Sequence, residues 1–297
     1  KLFSRSKKRG NMQRVMELFH YFGAADTVLY EAHAHIGSDR LPAIITRMRE
    51  CIEEYGGEIH FSTLFDEALF RDLQAQHIPI ILAIGHSAHD TYRMLLRSGV
   101  AMEDKGFAMG VRVEHPQSLI NSLMYHLPLT TKRASAHINA AQQQINGEAL
   151  NATLSPLGNA SYALVTQVNG RGVYSFCMCP GGHIVPAGST ADGCVVNGMS
   201  ASHRNSPYAN SGMVVEIRPE DVAEFQGIDG SNSLRGLAFQ EYVERLAKQH
   251  GGEQSQAPAQ RLRDFVEGKA SRDLPACSYL PGVVASRLDE WLPASIG

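Results

Sequence analysis

The chain has 297 residues, 43% of them hydrophobic, which is enough for two domains of ordinary size with hydrophobic cores. A formal net charge of −3 gives no electrostatic footprint for nucleic acid or an anionic membrane. No apolar run reaches the roughly 18 residues of a membrane span, no signal sequence opens the chain, and five cysteines are too few for a secreted disulfide framework. We therefore expect a soluble, cytoplasmic protein that binds neither nucleic acid nor membranes.

The first third of the chain has the alternating pattern of an α/β layer. Apolar residues recur at helical spacing in three stretches, the second of which has Ser38 or Asp39 available as its N-cap. The run 78–84 is apolar on both faces, as is typical of a buried parallel strand. The predicted helices are 11–22, 39–55 and 89–98, and the predicted strands are 58–61 and 78–84.

After Gly99 the pattern changes to short strands separated by Gly, Asn and Ser, which favours an antiparallel sheet. The polar stretch 131–159 is expected to form a long surface connection. We place a domain boundary near residue 105. The predicted strands are 107–113, 163–168, 172–179, 194–198 and 212–217, followed by helices at 219–225, 233–250 and 258–267.

Cys177 and Cys179 lie in the sequence FCMCPGGH. In a regular strand their thiols share a face about 6.6 Å apart, so their Cβ atoms lie beyond the roughly 4 Å that a disulfide requires. A structural zinc site usually adds a second ligand pair, which is not evident in this sequence. Three interpretations stay open: buried structural thiols, thiols that face a ligand, and a thiol-based redox pair.

His33 and His35, in the sequence HAH, would share one face of an extended segment, where two imidazoles can bind a metal ion. Asp39 is the one further ligand at a helpful spacing. We favour a histidine pair that hydrogen-bonds a ligand or a backbone group, and we predict no metal site.

Gly85, His86, Ser87 and Ala88 form the turn between the predicted strand 78–84 and the next helix. A glycine here lets a ligand approach the backbone, and the first N–H groups of the helix face the end of the strand where α/β folds bind ligands. The sequence contains neither a G-x-G-x-x-G nor a G-x-x-x-x-G-K-[ST] fingerprint. The residues alone therefore predict a ligand-facing turn without identifying its ligand.

Six segments together resemble one family, the uncharacterised bacterial FAD-dependent dehydrogenases or NAD(FAD)-utilising oxidoreductases, related to the flavoproteins with two dinucleotide-binding domains. They spread over nearly the whole chain, and the segment around the cysteines is highly specific. The segments are KLFSRSKKRGN (1–11), HAHIGSDRLP (33–42), ILAIGHSAHDTY (81–92), GRGVYSFCMCPGGHIVPAGSTADGCVVNGMS (170–200), ANSGMVVEI (209–217) and SYLPGV (278–283).

The resemblance implies an α/β plus α+β fold, namely an incomplete FAD-binding Rossmann-like domain with an inserted, mainly antiparallel substrate domain. On this basis residues 1–105 are the remainder of the FAD-binding domain, 106–285 are the substrate domain, and 286–297 begin the return to the FAD-binding domain. The glycine fingerprint and the second flavin-binding segment of the family are missing from this sequence. We therefore expect a central fragment of a longer protein that binds flavin poorly, and is inactive, by itself.

The resemblance also implies roles for individual positions. The turn 85–88 matches the flavin-contacting turn of the family, and Lys1 and Leu2 match the end of a segment that runs beside the flavin. A Gly-Gly turn permits close approach of the backbone to a planar ring, which places the turn after the cysteines near the flavin. The substrate-side candidates are Pro180, Gly181 and Gly182.

The function implied by the resemblance is that of a FAD-dependent oxidoreductase acting on a small molecule, with NAD(P)H as a candidate electron donor. No acid or base role is assigned, because the flavin carries the hydride chemistry. The alternative is a non-catalytic ligand-binding or interaction module with no bound flavin. The catalytic candidates are Cys177, Cys179, His33 and His35.

Overall fold

The computed structural model describes residues 11–31, 34–126, 158–188, 190–227 and 232–297. Its first part is built from four helices, three of which match the predicted ones closely, and the helix at Glu67–Ala75 is an additional one. Side chains cap two of them, because Asn11 accepts a hydrogen bond from the N–H of Arg14 (3.0 Å) and Asp66 accepts one from Leu69 (2.9 Å). The helices are α1 (Met12–Tyr21), α2 (Leu41–Glu54), α3 (Glu67–Ala75) and α4 (His89–Arg97), with a 3-10 turn at Asp26–Leu29.

Both strands predicted in this part are wrong. Residues 58–61 and 78–84 form no strand, and Ile81 is 92% exposed. A strand needs a hydrogen-bonded neighbour, and no described segment pairs with either run. The apolar residues of a run show that it is hydrophobic, but they do not show whether a neighbouring strand is available. The predicted cap of α2 is also wrong, because no side chain caps that helix.

The predicted antiparallel sheet is confirmed, with four strands in the order β1-β6-β3-β2. Strands β2 and β3 are joined by Asn169 and Gly170, both with positive φ (50° and 75°), as a two-residue type I′ hairpin requires. The strands are β1 (Phe107–Pro116), β2 (Val165–Val168), β3 (Arg171–Cys179) and β6 (Tyr208–Ile217).

Two small sheets and several helices complete the described residues. Strands β4 (His183–Pro186) and β5 (Val196–Met199) pair antiparallel, and β7 (Ala257–Ala259) and β8 (Val283–Ala285) pair parallel. The sequence analysis missed three strands and two helices: β4, β7 and β8, which are three or four residues long, and the first and last helices of the following set. These helices are α5 (Gln117–Met124), α6 (Arg235–Gln249), α7 (Leu262–Val266) and α8 (Leu288–Trp291), with a 3-10 turn at Pro219–Val222.

The core divides into separate clusters. Strand β6 packs on α6 through Ile217, Phe239 and Val243, and α1 and α2 enclose Val28 and Ile44. Full burial of such side chains stabilises the fold by about 1.5–3 kcal/mol each. The fold is thus mixed α/β with an antiparallel sheet, while the incomplete Rossmann-like domain and the boundaries at 105 and 285 stay predictions.

No helix in the described part of the chain is both long and apolar enough to cross a membrane. The predicted surface connection 131–159 falls almost entirely outside the described residues, as do Lys1, Leu2 and His33.

Candidate functional site

The cysteine strand is not regular where the two thiols lie. Cys177 has φ 49°, in the left-handed region, and the pairing of β3 with β6 shifts register between Phe176 and Cys179. The predicted regular strand with both thiols on one face is therefore wrong at this point, because a β-bulge inserts there. Cys177 is exposed, whereas Cys179 is buried at 7% exposure.

The two thiols interact with each other and acquire different chemistry. The Cys179 Sγ donates to the Cys177 carbonyl oxygen at 3.3 Å. Its hydrogen bond to the Cys177 sulfur, aided by the Arg112 guanidinium, lowers the pKa of Cys177 to about 6. The same contact with Cys177, together with burial, raises the pKa of Cys179. Cys177 is therefore the thiolate of the pair near neutral pH, and Cys179 keeps its proton.

Arg112 of β1 is held beside the thiols by neutral groups. It donates to the side-chain oxygens of Asn210 (2.6 Å) and Asn197 (3.3 Å) and to the Cys177 carbonyl oxygen (3.4 Å). Asn210 lies opposite Cys179 in the β3–β6 pairing and is 0% exposed. Because these partners carry no charge, they do not offset the charge of the guanidinium that faces the thiols.

The Pro-Gly-Gly turn after the cysteines is buried. The Gly181 N–H donates to the Gln117 side-chain oxygen at 2.7 Å. A Cβ at Gly181 would lie 1.7 Å from the Arg204 carbonyl oxygen, and one at Gly182 would lie 2.5 Å from that of Met199. Contacts within the chain thus account for both glycines, and a flavin near this turn stays a prediction.

The segment 35–39 docks beside the cysteine strand, although more than a hundred residues separate the two in sequence. The His35 Nε2 lies 3.0 Å from the Ala201 carbonyl oxygen, and Asp39 accepts from the backbone N–H and hydroxyl of Ser202, each at 2.7 Å. These hydrogen bonds lower the pKa of Asp39. In the part of the chain that the structure describes, no group of three or more His, Cys, Asp and Glu side chains could hold a metal ion.

Ser200 connects that segment to the Pro-Gly-Gly turn. Its hydroxyl donates to the Pro180 carbonyl oxygen (3.1 Å), and its own carbonyl accepts from the Ser38 backbone N–H (3.0 Å). The structure therefore connects the sequence-predicted candidate His35, through residues 200–202, to the turn that follows Cys179. Sequence reasoning missed the residues around them, since Arg112 and Ser202 lie outside every quoted segment and the position of Asn210 depends on the pairing of β3 with β6.

The turn 85–88 has a different character, because it is open. Gly85 has φ 69°, and a Cβ built there meets nothing within 4 Å. Its carbonyl oxygen accepts from the Tyr92 hydroxyl at 2.7 Å, and Ala88 provides no side-chain cap for α4. None of the hydrogen bonds found among the described residues joins this turn to the cysteine strand.

A further buried contact was not predicted from the sequence. Glu114 of β1 accepts from the Ser278 backbone N–H at 2.9 Å and from its hydroxyl, and the Ser278 hydroxyl accepts from the Ile184 N–H at 2.8 Å. Burial raises the pKa of Glu114. The segment SYLPGV is thereby fastened to β1 and β4.

Strands β2, β3 and β6 of the antiparallel sheet, with both cysteines, lie in a region that matches a known family, whereas β1 precedes that region. Residues 135–297, more than half of the chain, match the family described as "FAD-dependent protein, C-terminal domain-like", and the chain belongs to this family. The resemblance to FAD-dependent proteins is thus confirmed at that level. A similar protein is an uncharacterised protein of Clostridium beijerinckii, 38% identical in an alignment of 285 positions that covers 91% of this chain and 48% of the relative. The chain therefore spans about half the length of this curated relative.

Proposed function

We propose that the chain is part of a FAD-dependent oxidoreductase, a dehydrogenase acting on a small molecule. The observation that carries the proposal is its membership of the FAD-dependent protein family. When bound, FAD would supply the hydride or electron transfer, and the protein would bind and orient both reactants. The division into residues 1–105, 106–285 and 286–297, the cytoplasmic location and NAD(P)H as electron donor belong to the same proposal.

The residues at the turn 85–88 fit a cofactor that contacts backbone. Gly85 has a positive φ that favours glycine and open space where a side chain would be, so a ligand can approach the chain closely. Ala88 gives α4 no side-chain cap, and the Asp90 carboxylate accepts from the Thr91 N–H at 2.9 Å within the first turn. N–H groups at a helix N-terminus bind phosphate well. The buried Pro-Gly-Gly turn lacks these properties, because the chain itself fills the space beside it.

Apolar side chains stand exposed in the segment that leads into this turn. Ile78, Ile81 and Leu82 are all exposed, and Ile81 almost completely. Sites for cofactors are lined mainly by apolar groups with a few placed polar ones. The segment 78–88 therefore combines an exposed apolar stretch with an open glycine turn, which supports its assignment to the flavin.

The test is flavin retention by the natural polypeptide that contains this sequence. The purified protein is denatured, and the released flavin is identified and quantified. Gly85→Val should lower the affinity for FAD about tenfold or more, because it forces a branched side chain into a left-handed backbone at the contact. Gly99→Val is the matched control, since Gly99 follows the other end of α4, has φ 83° and has equally open surroundings.

Both substitutions should cost about 1–2 kcal/mol of unfolding free energy, so a selective loss of FAD in Gly85→Val identifies the turn. Equal FAD affinity in the two variants would refute the turn as the contact. A natural protein that contains no flavin and takes up none when FAD is added would refute the oxidoreductase and favour the non-catalytic module. Flavin bleaching on addition of NADH or NADPH tests the electron donor.

A further inference from the structure

The bulge in β3 gives the two thiols different environments. Phe176 and Cys177 are consecutive, yet both are exposed, whereas side chains of a regular strand face opposite sides in turn. Cys177 faces solvent from a left-handed backbone that favours glycine, and such conformations cluster at functional sites. Cys179 lies behind it, buried, with its Sγ 3.3 Å from the Cys177 carbonyl oxygen.

The surroundings of the pair are suited to negative charge. Arg112 hydrogen-bonds two side-chain amides and a carbonyl, and it forms no ion pair with a carboxylate among the described residues. Asn210, fully buried opposite Cys179, has a side-chain N–H group without a partner in the part of the chain that the structure covers. Buried donors are normally satisfied, and this unpartnered one lies at the strand position that faces Cys179.

The two thiols also differ in the way that thiol–disulfide exchange requires, with one attacking thiolate and one protonated resolving thiol. The hydrogen bond from Cys179 lowers the pKa of Cys177 to about 6, and this leaves an accessible thiolate at neutral pH. Cys179 holds its proton next to that sulfur. The strand geometry that would keep the thiols apart is absent, because the bulge has already broken the strand between them.

We propose that Cys177 and Cys179 form a thiol–disulfide exchange site for an anionic disulfide, with Cys177 as the attacking thiolate and Cys179 as the resolving thiol. The guanidinium of Arg112 attracts the negative charge of the substrate. The site lies in the antiparallel sheet, apart from the turn assigned to the flavin, and its reaction with a disulfide does not depend on FAD.

The reaction balances without a further oxidant, because the disulfide substrate is itself the oxidant. The Cys177 sulfur attacks one sulfur of R–S–S–R′, forms a mixed disulfide and releases R′–S⁻. The Cys179 thiol then loses its proton to solvent, attacks the Cys177 sulfur and releases R–S⁻. The two protein thiols become one disulfide, and the substrate disulfide is reduced by two electrons to two thiols.

The test uses dithiobis(nitrobenzoate), an anionic aromatic disulfide whose thiolate is coloured, at one equivalent per chain. The unmodified chain should release both aromatic thiolates rapidly and retain no adduct. Cys179→Ser should release one and hold the other as a stable adduct on Cys177. Cys177→Ser should lose the rapid phase, and Cys194→Ser, which removes a half-buried thiol elsewhere, should keep it.

Peptide mapping of the unmodified chain keeps the test independent of whether the variants fold. A new disulfide between Cys177 and Cys179 supports the proposal. A stable adduct on Cys177 in the unmodified chain would overturn it, and so would a rapid reaction that maps to Cys51, Cys194 or Cys277. Because no flavin is added, loss of FAD binding leaves this result unaffected.

A second comparison tests the charge of the substrate. Relative to a free thiol of similar pKa, the chain should react roughly tenfold faster with the anionic disulfide than with cystamine, which is cationic. Arg112→Gln should remove that preference. If the unmodified chain and Arg112→Gln prefer the anionic disulfide equally, Arg112 does not select an anionic substrate.

Discussion

Asp39 accepts two hydrogen bonds from Ser202, one from the backbone N–H and one from the hydroxyl, each at 2.7 Å. They join the segment after α1 to the residues that follow β5, next to the cysteine strand. These bonds to the carboxylate, the hydroxyl foremost, lower the pKa of Asp39. A carboxyl whose folded pKa is lowered contributes stability above its unfolded pKa of about 3.9, and the contribution is lost as pH falls through the folded value.

Asp39→Asn should therefore lower the urea midpoint at neutral pH, and its difference from the unmodified chain should shrink as pH falls below about 4. Unfolding curves at both pH values measure this. Glu103→Gln, at an exposed loop position, is the control and should leave the midpoint unchanged at either pH. A midpoint for Asp39→Asn equal to that of the unmodified chain at neutral pH contradicts the prediction.

Gly181→Ala should destabilise the fold through a steric clash as well as through backbone strain. Gly181 has φ 54°, and its Cβ would lie 1.7 Å from the Arg204 carbonyl oxygen, so backbone must move. Gly170→Ala is the matched control, because Gly170 also has positive φ but open surroundings. We expect a loss of about 1 kcal/mol for Gly170→Ala and of about 3 kcal/mol or more for Gly181→Ala. Equal losses of unfolding free energy for the two variants in denaturant unfolding would show that the clash does not contribute.

The rate of alkylation of Cys177 should follow the fraction of Cys177 that is present as thiolate. The rate with iodoacetamide, a neutral reagent, is expected to rise with pH through a midpoint near 6. Cys179→Ala removes the hydrogen bond that lowers the pKa most, so the midpoint should move toward the ordinary thiol value of about 8.5. Arg112→Gln removes the charge that faces Cys177 and should raise the midpoint less, since it is a smaller cause. A midpoint near 8.5 in the unmodified chain would contradict the pairing of the thiols.

The helices and the antiparallel sheet could be predicted because their causes are local. Helical spacing of apolar residues located α1, α2 and α4, and short segments separated by Gly, Asn and Ser located β1, β3 and β6. The run 78–84 was predicted wrongly, because pairing with a neighbouring strand depends on distant residues. Strands β4, β7 and β8 were missed, whereas β2 and β5, which are just as short, were predicted.

The candidate site was only partly predictable for the same reason. Cys177 and Cys179 were visible as a spacing, but the bulge that separates them arises from the register of β3 against β6. The positive charge near the thiols comes from Arg112 of β1, which reaches the Cys177 carbonyl oxygen from across the sheet. A sequence of alternating residues contains no sign of which arginine will meet which thiol, so the difference in pKa between the thiols could not be predicted.

Glu241 of α6 holds α4, and its removal should loosen that helix selectively. Its carboxylate lies 3.0 Å from the His89 Nδ1 and accepts a hydrogen bond from Arg93, with side-chain exposures of 18% for Glu241 and 5% for His89. Glu241→Ala leaves both partners without their acceptor, so we expect a loss of about 1–3 kcal/mol in unfolding free energy. Amide hydrogen exchange should accelerate most in α4.

Glu17→Ala is the control for the Glu241 prediction, because Glu17 pairs with Arg14 at 3.9 Å on the exposed face of α1. Surface ion pairs of this kind contribute little, so that variant should stay within about 0.5 kcal/mol of the unmodified chain. Uniform acceleration of exchange across the whole chain in Glu241→Ala would show that the carboxylate stabilises the fold globally and not the contact between α4 and α6. Equal effects of the two substitutions would show that burial of the Glu241 contact adds nothing.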